Sequence, residues 1–166
     1  NAWCQDNEIS WFDWELDEQS IELLRWTRRL IALRREHVVF RRTRFLEGSD
    51  GSGSLPDVWW FRPDGRRMTI RDWDNPERRS LGVFLNGEGL PEVTPRGETE
   101  TDDSFLLMFN AHFESVTFRV PARRFGARWA LELSTAEPGL EAGSGGFAAR
   151  DEVTLVPRSI LVLRRS

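Results

Sequence analysis

One change of periodicity constrains this chain more than any other feature. From Val58 onward the sequence breaks into short apolar runs separated by Gly, Pro, Asn and Asp, the pattern of strands and turns. Strands are predicted at 58–61, 80–85, 104–110, 115–120, 128–133, 153–155 and 159–163. Two of them, Val116-Thr117-Phe118-Arg119-Val120 and Trp129-Ala130-Leu131-Glu132-Leu133, alternate apolar and polar as antiparallel strands with one wet face do. The spacing predicts a mainly β fold, an antiparallel β-sandwich of Greek-key type. The strands flanking Asn110-Ala111-His112 read as the best local hairpin. The Gly-rich stretches 47–55 and 137–146 read as mobile loops.

Before that change the period is helical. Asp17 or Ser20 can cap a helix running to Glu36 or His37, with Glu18 and Glu22 near its positive end and Arg34 and Arg35 near its negative end. Leu23, Trp26, Leu30 and Leu33 form one apolar stripe, and Ile21, Leu24 and Ile31 a second beside it. Together they are wider than one core contact needs, so the helix is expected to have two neighbours. If one neighbour is missing, the exposed stripe is expected to promote self-association.

Several function classes are disfavoured. Lys plus Arg number 23 against 27 Asp plus Glu, for a net charge of −4, which gives no basic field for nucleic acid. The arginines at 25, 28, 29, 34 and 35 are interleaved with Glu22 and Glu36 and read as a solvated helix face. No run approaches the roughly 20 apolar residues of a membrane span. The single cysteine, Cys4, precludes an internal disulfide and suits the cytoplasm. The first residues carry neither a signal-peptide pattern nor an initiator Met, which predicts that the chain begins inside a longer protein.

The opening Asn1-Ala2-Trp3-Cys4-Gln5-Asp6-Asn7-Glu8-Ile9-Ser10-Trp11-Phe12-Asp13-Trp14 resembles a segment of isoamylase-type glycogen-debranching enzymes, members of the α-amylase superfamily. That segment usually carries Tyr where this chain has Trp3. The likeness continues through Arg62-Pro63-Asp64-Gly65, Met68-Thr69, Asp72-Trp73 and Ser80-Leu81-Gly82-Val83. It resumes at Asp102-Asp103-Ser104-Phe105-Leu106-Leu107, Phe109-Asn110-Ala111-His112 and Pro157-Arg158-Ser159. The resemblance implies that residues 1–40 are the end of an α/β barrel, including its last helix, and that 41–166 are the C-terminal sandwich. It makes the barrel the helix's missing neighbour and the protein's expected partner.

Hydrolysis of an α-1,6 branch with retention needs an acid and a nucleophilic carboxylate about 5–5.5 Å apart. The resemblance places those carboxylates before this chain begins, so no catalytic residue is assigned here and no hydrolysis by the chain alone is expected. Sequence proximity places no pair of Asp6, Glu8, Asp13, Glu15, Asp17 and Glu18 at catalytic separation, and helix capping or solvation explains several of them. The substrate-binding candidates are Trp3, to stack on a sugar, and Gln5, Asp6 and Asn7, to bond hydroxyls; the alternative is that they brace the loop against the barrel. No cofactor or metal is expected, because Cys4, His37 and His112 lie apart in the sequence and read as structural.

Two functions compete. The first is a non-catalytic accessory domain that stabilises the barrel. The second is a carbohydrate-binding module for glycogen or maltooligosaccharides, using exposed Trp59, Trp60 or Trp73. Neighbours in one strand, Trp59 and Trp60 point to opposite faces, so one of them can face solvent.

Overall fold

The computed structural model describes residues 4–48, 55–88, 90, 96–98 and 100–166. It divides into two compact units, Asn1–Glu36 and His37–Ser166.

The first unit carries helix α1, Glu18–Glu36. Asp17 is its N-cap: its carboxylate accepts the Ser20 N–H at 2.8 Å, satisfying one of the free donors of the first turn. The Ser20 hydroxyl first, and then this N–H, hold the Asp17 carboxyl below its ordinary range. No residue of α1 is buried. Both apolar stripes are exposed in part, Leu23 and Leu30 on one and Leu24 and Ile31 on the other. Among the described residues, no helix is long and apolar enough to cross a membrane.

The second unit opens with a single 3₁₀ turn, Val38–Phe40. It then contains β1 (Val58–Phe61), a short helix α2 (Ile70–Trp73), β2 (Ser80–Leu85), β3 (Phe105–Asn110), β4 (Val116–Arg119), β5 (Arg128–Ser134), β6 (Gly146–Ala148), β7 (Glu152–Leu155) and β8 (Ser159–Arg165). Six strands form an antiparallel sheet in the order β1-β2-β3-β8-β5-β6, and β4 pairs with β7 in a second sheet. The two sheets share one core. Phe84, Leu106, Met108, Trp129 and Leu163 of the large sheet meet Phe118 and Leu155 of the small one, with Phe125 and Val120 between them. The architecture is the expected mainly β, antiparallel sandwich.

Two expectations are corrected. The strands around Asn110-Ala111-His112 are not a hairpin: β3 pairs with β2 and β8, whereas β4 pairs only with β7. At the crossing sits Asn110, which is almost wholly buried. Its amide nitrogen donates to the carbonyls of Glu114, Leu155 and Val156 at 2.9, 3.2 and 2.9 Å. Its oxygen accepts from the His112 N–H and the Ser80 hydroxyl. One side chain thus satisfies the backbone where the chain leaves one sheet for the other. The second correction concerns 137–146. Its end is pinned, with Gly143 N–H donating to Leu131 C=O at 2.7 Å and Leu131 N–H to Gly145 C=O at 2.8 Å, and Gly146 opens β6. Of the other Gly-rich stretch, residues 49–54 lie outside the described residues. Glu47 and Gly48 donate their N–H groups to Asp57.

Candidate functional site

The register aligns a row of side chains across the face of the large sheet turned away from the core. Trp60 lies opposite Val83, Val83 opposite Leu107, Leu107 opposite Val162, and Val162 opposite Leu133. A second row runs Leu81, Phe109, Ile160. An antiparallel sheet with one wet face carries polar residues at such positions. Here both faces are apolar. One end of this outer face is covered within the unit, where Phe40 and His37 pack on Phe105 with ring centroids 4.6 and 4.7 Å apart. The middle is a shallow depression of about 580 Å³ whose floor includes Leu81, Val83, Leu85, Leu107 and Phe109, with Arg78 and Arg79 also lining it.

The covered end is fastened by Asp102. Its carboxylate lies 2.7 Å from His37 Nδ1 and accepts the N–H groups of Val39 at 2.9 Å and Asp103 at 2.7 Å. Gly87 makes this approach possible, since a Cβ there would sit 2.1 Å from the Asp102 carbonyl oxygen. His37, Asp102 and Asp103 bring three potential metal-ligand atoms within 4.8 Å of one another. These atoms already serve the fold, because Asp102 holds the 3₁₀ turn and Asp103 pairs with Arg164 at 3.3 Å. The arrangement reads as a clamp that seats residues 37–40 on the sheet.

At the β1 edge stands an aromatic pair. Trp60 and Trp73 are 38% and 51% exposed, and their rings meet edge to face at 5.3 Å. They border a cleft of about 220 Å³ also lined by Leu46, Glu47, Arg67 and Met68. Trp73 is rigidly presented. The Thr69 hydroxyl accepts the Asp72 N–H, and the Asp72 carboxylate accepts the Thr69 N–H, a capping box that closes α2. Asp72 is buried and also receives Arg78 at 2.6 Å. The Thr69 hydroxyl first, then the Thr69 N–H and Arg78, hold its carboxyl below the ordinary value of 3.8. The Met68 N–H donates to the Trp60 carbonyl at 2.9 Å, tying this segment to β1. Trp59, on the opposite face, packs against the core, with the guanidinium groups of Arg67 and Arg124 4.5 and 5.3 Å from its ring centre. Of the three tryptophans considered from sequence, Trp60 and Trp73 are therefore the available ones.

The N-terminal candidates are brought into one local turn. The Asp6 carboxylate accepts the Trp11 indole N–H at 2.7 Å, and the Asn7 side chain accepts the Ile9 N–H at 3.1 Å. The Gln5 carbonyl accepts the Ser10 hydroxyl. Gln5 and Asp6 are exposed and Asn7 half-buried; Trp3 lies outside the described residues. Every carboxylate from Asp6 to Glu18 is exposed, a setting unlike the apolar pocket that raises the pKa of a glycosidase acid.

Residues 57–163 match the family model described as Isoamylase, C-terminal. Over its full length the chain is 41% identical to a Glycogen operon protein GlgX homolog of Mycobacterium tuberculosis, covering 23% of that protein. It is 34% identical over 106 residues to a Glycogen debranching enzyme of Cronobacter sakazakii, covering 64% of this chain and 14% of that one. An Isoamylase of Pseudomonas amyloderamosa is 25% identical over 94% of this chain and 18% of its own length. The chain therefore spans less than a quarter of the length of each of these relatives.

Proposed function

This chain belongs to the isoamylase C-terminal family, and from that premise we propose that it is the non-catalytic end of a glycogen-debranching enzyme, stabilising the catalytic barrel by docking the outer face of its large sheet. The observation that carries the reading is the open apolar depression floored by half-buried Leu81, Leu85, Leu107 and Phe109, on the side of the sheet away from its own core. Apolar area removed from water stabilises by about 25 cal/mol per Å², so covering the part of this face that is still open favours association. The occupant is the barrel of the same parent chain. In this reading the barrel's last segment ends near residue 40, with 37–40 already seated on the sandwich, and 41–166 are the sandwich that follows it.

The parent would hydrolyse α-1,6 branch linkages of glycogen with carboxylates of the barrel. Gln5, Asp6 and Asn7, with Trp3, would then be a strip of its active-site wall or of its bracing. The reducing cytoplasm suits an enzyme with an exposed, unpaired Cys4. Deleting residues 41–166 from the full-length parent is expected to lower its melting temperature or its solubility; an unchanged melting temperature argues against a stabilising role. Separated from the barrel, the chain is expected to self-associate through the apolar stripes of α1. Light scattering that finds strict monomers at high concentration would argue against that route.

A further inference from the structure

We infer that Trp60 and Trp73 form a second carbohydrate site, a corner that takes a bent α-1,4-glucan chain on the sandwich itself. The inference rests on the reading above that the parent acts on α-glucans, and it adds a place where the substrate is held away from the bond being cut. Three observations support it.

The first is exposure combined with rigidity. Large aromatics are ordinarily among the most buried area in a domain, yet these two indoles stand in solvent while their backbones are fixed. Trp60 lies in a strand paired along its length with β2. Trp73 ends a helix closed by the Thr69–Asp72 box and anchored through Arg78. A backbone held in this way needs no ordering when a ligand arrives.

The second is the chemistry of the cleft. A sugar ring offers an apolar C–H face and a rim of hydroxyls, so its receptor needs an aromatic face beside hydrogen-bonding groups. The cleft supplies both: it is lined by Trp59, Trp60 and Trp73 and by the polar residues Arg67 and Glu47. The aromatic cage of a cationic ligand would instead bring several ring faces around one point, and here an arginine already sits at the Trp59 ring.

The third is shape. The ring planes of Trp60 and Trp73 stand at 79° to each other. Rings arranged in this way form a corner, whereas a flat, ribbon-like β-1,4 chain is matched by rings lying in one plane. An α-1,4 chain turns at every residue and can set one glucose against a free indole face while its neighbour follows the angle of the pair.

The test is titration of the 166-residue chain with maltoheptaose and, separately, cellohexaose, followed by tryptophan fluorescence and by the indole N–H signals in NMR. Maltoheptaose is expected to bind with Kd of about 1 mM, the weak end of the affinity scale, and to shift the Trp60 and Trp73 signals but not Trp129. Trp73→Ala is expected to weaken binding at least tenfold, with Trp73→Phe retaining most of it and the exposed neighbour Ile70→Ala leaving it unchanged. Absence of binding at 10 mM maltoheptaose, equal binding of cellohexaose, or full affinity in Trp73→Ala each overturns the inference. None of these outcomes bears on docking to the barrel, which is read from melting temperature, so the two proposals fail separately.

Discussion

Replacing Asn110 by Ala is expected to lower the stability of the chain by about 3 kcal/mol, the cost of leaving two or more buried polar groups without partners at 1–3 kcal/mol each. The side chain is almost fully buried and makes five hydrogen bonds, to Glu114, Leu155, Val156, His112 and Ser80. Truncation removes the donor to the buried Leu155 carbonyl and the acceptor for the His112 N–H and the Ser80 hydroxyl, while the Val156 carbonyl keeps the Ser159 hydroxyl at 2.7 Å. Asn110→Asp is expected to cost at least as much, because it replaces the donor with a carboxylate facing three carbonyl oxygens. Urea unfolding of both variants against the parent sequence measures the loss. A change under about 0.5 kcal/mol, the ordinary size for a surface substitution, would mean that Asn110 does not hold the crossing between the two sheets.

The strands were legible because their alternation is strict. Val116, Phe118, Val153 and Leu155 fall on one face of the small sheet, while Thr117 faces Thr154 and Arg119 faces Glu152 on the other. What the alternation does not encode is which strands pair, and at the crossing a buried amide, Asn110, serves backbone carbonyls far along the chain. β6 escaped notice because Gly146-Phe147-Ala148 is too short for a period and follows a run of glycines. α2 is four residues long, yet Thr69 and Asp72 carry the spacing of a capping box, a signal that was present and can be read.

The outer face proposed to dock also had a signal. Phe105-Leu106-Leu107-Met108-Phe109 is an unbroken apolar run in an antiparallel strand, and such runs belong to sheets covered on both sides. The pairing of Trp60 with Trp73 was beyond the sequence, since it depends on how α2 folds back beside β1.

Leu107→Asp is the second large effect expected, and it separates docking from folding. In the 166-residue chain Leu107 is half-buried in an open depression, with Arg78 and Arg79 lining it, so a carboxylate there stays hydrated and the cost is expected to be about 1 kcal/mol. If the barrel covers this face in the full-length enzyme, the same carboxylate is desolvated without a partner, adding about 3 kcal/mol. That is roughly a hundredfold loss in the docking equilibrium. The decisive measurement is therefore the melting temperature of Leu107→Asp in both contexts, each against its own parent. A fall several degrees larger in the full-length enzyme is the predicted result, and equal shifts in the two would contradict docking through the outer face of the sheet.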